Sequence, residues 1–200
     1  MNKIILIRHA QTDTAGIRLT GRAPGIFLNA EGREQARILA EKLADAGIDY
    51  FYSSPLERTM ETANLIAEKH KQPVSTLDNF LEVNYGEWTN FTVEELRGNP
   101  LFDRYNTYRS NTRIPGGEKM EEVQTRTIAG IEKVCLRHPG SAIAIFTHAD
   151  VIKMAISWYL SVPVDMMHRM EISPASVSII ELYDDSAKVI KFNQTINYEI

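Results

Sequence analysis

The chain has 200 residues, with 22 Lys and Arg against 26 Asp and Glu, so its formal charge of −4 excludes a broadly basic protein built to grip phosphate backbones. Its 44% apolar and 24% charged composition can bury a full core, and its length suits one domain over residues 1–200. The single cysteine, Cys135, excludes an intrachain disulfide framework and a cysteine-built metal site; between Val134 and Leu136 it reads as a buried filler. No signal-peptide pattern opens the chain and no apolar run nears the ~18 residues of a membrane span. A cytoplasmic protein that binds neither nucleic acid nor membrane is expected, and nothing marks its oligomeric state.

Lys3 to Arg8 is a short apolar run ending in charge, which suits a strand buried on both faces of a parallel sheet. Asp13 to Leu28, with its glycines and no period, reads as a loop. Asn29 then precedes a helix to about Ala46, with Ala36, Leu39, Ala40 and Leu43 on one face and Gly47 as its stop. Asp49 to Ser53 is a second strand. Ser54, Pro55 and Glu57 form a helix start with a capping box, followed by a buried stripe of Met60, Ala63, Ile66 and Ala67. Residues 80–117 are aromatic-rich and irregular, a lid-like segment. A helix from about Glu118 to Leu136 carries Val123, Thr127, Ile131 and Val134 at helical spacing. Ala142 to Thr147 is an all-apolar strand, followed by a helix over Asp150 to Leu160 and closing strands at Ser176–Tyr183 and Lys188–Phe192. Strands alternating with helices predict an α/β fold, a three-layer α/β/α sandwich with a mainly parallel central sheet.

Ligands of open α/β sheets bind beyond the carboxyl ends of the strands. Three such ends carry unusual residues here: Arg8-His9, Ser53-Ser54 with Arg58 just beyond, and Thr147-His148 before a helix N-terminus. Two histidines, two arginines and a helix N-terminus make a site for a dianionic group, because a guanidinium clamps phosphate oxygens through a planar fork of donors. His70 reads as a helix C-terminal cap, His138 as a turn residue and His168 as part of a Met-rich stretch, none with a chemical role. Tyr85 and Trp88 read as packing.

These residues stand in motifs. Leu6-Ile7-Arg8-His9-Ala10-Gln11-Thr12 resembles the opening motif of the histidine phosphatase superfamily, the phosphoglycerate mutase-like proteins of branch 1. Ser53 to Thr59, with Thr62-Ala63, resembles its second motif. Leu81 to Trp88 is similar to its proton-donor segment, Pro115-Gly116-Gly117-Glu118 to its later turn, and Phe146 to Asp150 to its second-histidine motif. The matches run in family order along the chain.

The resemblance implies two-step phosphoryl transfer through a phosphohistidine on His9, and hydrolysis of a small phosphomonoester is the reading favoured within the family. Arg8, Arg58 and His148 would hold the phosphoryl oxygens, and Glu82 would be proton donor and acceptor. Thr12 and Ala149 are further substrate-binding candidates. No metal and no other cofactor is implied. A mutase that returns the phosphoryl group to the product is the alternative, followed by a non-catalytic phosphate-binding protein. The adjacent arginines that the resemblance implies for true mutases are absent, since Arg97, Arg104, Arg109 and Arg113 are scattered. Three places depart from the family pattern: Ala10 for Gly, Asp13-Thr14-Ala15 for a phosphate-touching Asn, and Ala149-Asp150 for Gly-Gly. Asp150 reads most simply as a helix N-cap; facing the pocket, it would favour a substrate that is neutral or amine-bearing beyond its phosphate. Leu19–Leu28 and Phe91–Ile114 would form the specificity surface, with Phe91, Phe102, Tyr105, Asn106 and Tyr108 as aromatic and amide candidates.

Overall fold

The computed structural model describes residues 1–195. Its first strand, β1 (Asn2–Arg8), lies in the interior of a six-stranded sheet of order β3-β2-β4-β1-β5-β6. β1 runs parallel to β4 (Ala142–Thr147), which pairs in parallel with β2 (Tyr50–Ser53), and β2 in turn with β3 (Val74–Thr76). On its other side β1 pairs antiparallel with β5 (Val177–Leu182), which carries β6 (Ala187–Gln194), also antiparallel, at the edge. The sheet is therefore mixed: four parallel strands and an antiparallel hairpin.

The apolar run of β1 serves both faces because successive side chains alternate. Ile5 and Ile7 pack with Ala144 and Phe146 of β4 against α1 (Ala30–Leu43) and α2 (Glu57–His70). Ile4 and Leu6 pack with Ile143 and Ile145 against α5 (Met120–Arg137) and α6 (Ala149–Tyr159). Two apolar layers against one sheet make the three-layer sandwich that the alternation of elements predicts.

Helix α1 starts where expected: the Asn29 side chain accepts from the Gly32 amide at 2.8 Å. It ends at Leu43 rather than near Ala46, and a turn carries the chain to Gly47 at φ +61°. The capping box before α2 does not form. Leu56 is the N-cap residue, the Glu57 carboxylate accepts from the Gly25 amide at 2.9 Å, and the Ser54 hydroxyl turns toward His148. Of the expected stripe, Ala63, Ile66 and Ala67 are buried and Met60 is half-buried.

Residues 80–117 are more structured than their sequence suggests. They hold a short 3₁₀ turn at Gly86–Trp88, the helices α3 (Val93–Leu96) and α4 (Pro100–Thr107), and a further 3₁₀ turn at Arg109–Asn111. Thr92 and Glu95 form a capping box on α3, while Asn99 and Pro100 start α4. The segment has its own apolar core around Val83, Trp88, Phe102, Tyr105 and Ile114, seated on Met120 and Val123 of α5 and Met154 of α6. Trp88 packs edge-on against Phe102 and Tyr105. The 13–28 loop is stitched to this segment by an isolated bridge between Arg18 and Thr92 and by the Leu19 amide on the Phe91 carbonyl at 2.9 Å. Among the described residues, no helix is long and apolar enough to cross a membrane.

Candidate active site

The carboxyl ends of β1, β2 and β4 open into one cleft of about 250 Å³, lined by Arg8, His9, Thr12, Arg58, Glu82 and Ala149, and roofed by residues 15–21. Register explains the gathering, since Arg8 pairs with Thr147 across the sheet and Ser53 with Phe146.

His9 is fixed from both sides. Its amide donates to the Thr147 carbonyl at 3.0 Å, and its ring Nδ1 lies 2.8 Å from the Ala10 carbonyl. A carbonyl only accepts, so Nδ1 carries the proton and Nε2 keeps its lone pair. Burial, then the charges of Arg58 and Arg8, hold the ring well below the ordinary histidine range, so it is neutral at neutral pH. Ala10, in place of the family's glycine, is accommodated: its methyl is buried in the core beside α1 and α2, and its amide donates to Thr62 Oγ1 at 3.1 Å.

Three cationic or donor groups surround this ring with free donors. Arg8 spends Nη1 on the Ile172 carbonyl at 2.5 Å, and Arg58 spends Nη2 on the Gly21 carbonyl at 2.8 Å. Arg8 Nε, Arg58 Nη1 and His148 Nδ1 are buried without a partner. Each unpaired buried donor costs about 1–3 kcal/mol, so three turned to one place suit an anionic ligand. His148 is fully buried 5.4 Å from His9 between ring centroids, and its Nε2 lies 3.0 Å from Ser54 Oγ. It is also the N-cap residue of α6, which aims that helix's first N–H groups and dipole at the cleft beside Ala149. Thr12 is buried on the cleft wall, its hydroxyl 3.3 Å from that of Thr14.

Glu82 lies opposite. Burial and then the nearby Asp150 carboxylate raise its pKa to about 7, against the pull of Arg58, the Val83 amide and Arg8. It is thus a carboxyl group that holds a proton near neutrality.

Asp150 is not the N-cap of α6. It sits in the first turn, lines the cleft and accepts from the Tyr85 hydroxyl at 3.0 Å. Tyr85 therefore both packs and presents its hydroxyl to the site. Asp13 faces away from the site, its carboxylate accepting from Asn29 Nδ2 at 3.1 Å. Among the described residues, no group of three or more His, Cys, Asp and Glu side chains could hold a metal ion.

The motifs and this geometry meet in the sequence comparisons. A model of the histidine phosphatase superfamily (branch 1) matches residues 4–195. The chain belongs to that family. Phosphoserine phosphatase 1 of Hydrogenobacter thermophilus is 30% identical over 200 residues, which cover 98% of this chain and 93% of that one. A 2,3-bisphosphoglycerate-dependent phosphoglycerate mutase of Thermoplasma acidophilum is 29% identical over 184 residues, covering 91% of this chain and 88% of its own. Among solved structures, YhfR of Bacillus stearothermophilus superposes with a TM-score of 0.91 at 25% identity over 98% of both chains. The fold of the histidine phosphatase family extends over essentially the whole chain.

The site also rests on residues that sequence reasoning missed. Arg126 donates to the carbonyls of Asn79, Leu81 and Glu82, and Arg22 Nε adds a second donor to the Glu82 carbonyl at 2.9 Å. Glu118 ties both arginines together at 2.9 Å each and accepts from the Asn84 amide at 2.8 Å. The one sequence signal for Arg126 is its position one turn beyond Val123, a charge adjacent to the buried stripe of α5. His138 is structural, bonded to Tyr52 and stacked on Tyr50. His70 sits in the last turn of α2 against Phe51.

Proposed function

We propose that the protein is a metal-independent phosphatase that hydrolyses a small phosphomonoester through a phosphohistidine on His9. The observation that carries this reading is the convergence of Arg8, Arg58 and His148, each with a buried donor lacking a partner, around a neutral His9 whose Nε2 is a free lone pair. Phosphoryl transfer needs little more than a positioned nucleophile and fixed positive charge around three equatorial oxygens.

In the first step His9 Nε2 forms a bond to phosphorus while the ester P–O bond breaks, and Glu82 passes its proton to the leaving oxygen. Ser54 donating to His148 Nε2 leaves Nδ1–H aimed at a phosphoryl oxygen. In the second step water attacks phosphorus, the P–N bond breaks, and the ionised Glu82 takes the water's proton. Phosphate leaves and His9 returns neutral. Two guanidinium groups and the α6 N-terminus supply the positive charge. Hydrolysis rather than mutase chemistry is favoured by Asp150, whose carboxylate on the cleft wall opposes a second phosphate on the same ligand.

The test is phosphate release from a panel of phosphomonoesters with chelator present, for wild type and His9→Ala, with isomerisation of 3-phosphoglycerate followed in parallel. Release from wild type, absent in the variant, and an acid-labile protein-bound phosphate are expected. Isomerisation without release would move the protein to mutase chemistry. A strict need for divalent metal would refute the mechanism.

A further inference from the structure

Beyond the phosphate cleft lies a second cavity, also of about 250 Å³, which shares Leu19, Tyr85, Val93 and Asp150 with it. The far wall carries Tyr105 and Arg109. Tyr105 is 2% exposed, and its hydroxyl proton has no acceptor. The Arg109 guanidinium lies 4.7 Å above the Tyr105 ring, spends Nη2 on Asn106 Oδ1 at 3.0 Å, and keeps a buried Nε with no acceptor. Two buried donors without acceptors, one cationic, describe a place for a carboxylate.

Between that place and the phosphate cleft stands Asp150. Tyr85 holds Oδ2, and Lys153 Nζ approaches Oδ1 only to 3.7 Å, so the carboxylate keeps lone pairs for a ligand. Along the joined cavities the charge runs from Arg8 and Arg58, through Asp150 with Lys153 beside it, to Arg109, with Glu171 also on the wall of the second cavity. The complement of that order is a ligand with phosphate, then ammonium, then carboxylate.

We propose that Asp150 and Arg109 select a zwitterionic leaving group, so that the substrate class is a phosphorylated hydroxy-amino acid. The proposal rests on the phosphatase reading above. Three probes dissect it: O-phosphoserine, 3-phosphoglycerate with a hydroxyl in place of the ammonium, and phosphoethanolamine with no carboxylate. p-Nitrophenyl phosphate reports on phosphoryl transfer alone.

For wild type, kcat/KM for O-phosphoserine should exceed that for 3-phosphoglycerate by about 10- to 100-fold, the worth of one charge-assisted hydrogen bond. Asp150→Asn keeps the shape and should bring the two within a few-fold. Arg109→Met should lower O-phosphoserine turnover about 10-fold or more and leave phosphoethanolamine unchanged relative to p-nitrophenyl phosphate, with Arg109→Lys giving partial rescue. An unchanged serine-to-glycerate ratio in Asp150→Asn, or a wild type that prefers the glycerate, overturns the proposal while phosphatase activity stands. Turnover of none of the four esters sinks the phosphatase reading and this proposal with it.

Discussion

Glu82 Oε2 stands 3.8 Å from Nδ1 of His148, yet the two are not an ion pair. Burial, then Arg58, hold the His148 ring well below the ordinary histidine range, while burial and Asp150 hold Glu82 up at about 7. Below about pH 7 both partners are therefore mostly uncharged, which suits a carboxylic acid poised to give up its proton. For an alkyl ester, kcat/KM should fall as pH rises through about 7 with loss of one proton. The limb in kcat should lie higher, because a bound phosphate dianion disfavours ionisation of Glu82. Asp150→Asn removes the second-largest cause of the upward shift and should move both limbs to lower pH. A pH–rate series on the two proteins measures this, and coincident profiles would argue against Glu82 as the titrating acid.

Glu82→Gln separates chemistry from stability. The variant has no proton to give, so esters with poor alkyl leaving groups should lose about 10²- to 10⁴-fold in kcat, and p-nitrophenyl phosphate far less. Its stability should change in the opposite sense. The folded-state pKa of about 7 lies above the ordinary 4.5, so the folded protein holds this proton more tightly than the unfolded chain. That contribution is fully present below about pH 4.5 and is lost as pH rises through 7. Glutamine does not ionise, so at pH 8 the variant should be more stable than wild type by on the order of 2–3 kcal/mol. Denaturant titrations at pH 5 and pH 8 test the sign.

Ser54→Ala should harm activity without touching a phosphoryl oxygen. The hydroxyl lies 3.0 Å from His148 Nε2 and, in the proposed mechanism, donates to it. Removing it strands a buried ring nitrogen, for about 1–3 kcal/mol of stability. A kcat loss of roughly 10-fold with little change in KM is expected, and wild-type kcat would refute the role.

Ser54 also marks where the sequence stopped being legible. Its local pattern, Ser-Pro-Leu-Glu, satisfies every rule for a capping box, and tertiary demand overrides it: the same hydroxyl is needed by a histidine 94 residues away. Asp150 misleads for the same reason, a good capping residue placed one step inside the helix and turned to Tyr85. The apolar runs of β1 and β4 were readable because burial on both faces leaves only one kind of side chain. That His9, Arg8, Arg58, Glu82 and His148 lie together was readable because charge follows directly on an apolar strand or stands in a motif. Arg22 and Arg126 were not, since an arginine on a loop or helix is ordinarily solvated and only the fold turns these two onto the Glu82 backbone.

That backbone is held by shape as well as by charge. Gly86 lies within the donor segment at φ +49°, and a Cβ there would come within 2.0 Å of the Pro115 carbonyl oxygen. The Glu87 amide donates to that same carbonyl at 2.9 Å, so the two segments cannot part without losing it. Gly86→Ala therefore meets both a left-handed backbone and a backbone clash, and should destabilise by about 3 kcal/mol or more. Arg126→Met should act on the same loop through hydrogen bonding, stranding the Leu81 carbonyl and one partner of Glu82's. Both variants displace Glu82 while leaving Arg8, Arg58 and His9 in place. Each should lose more kcat with alkyl esters than with p-nitrophenyl phosphate, the signature of a misplaced acid. Equal losses on both esters, measured well below the melting temperature of each variant, would instead mean that the whole cleft had been disturbed.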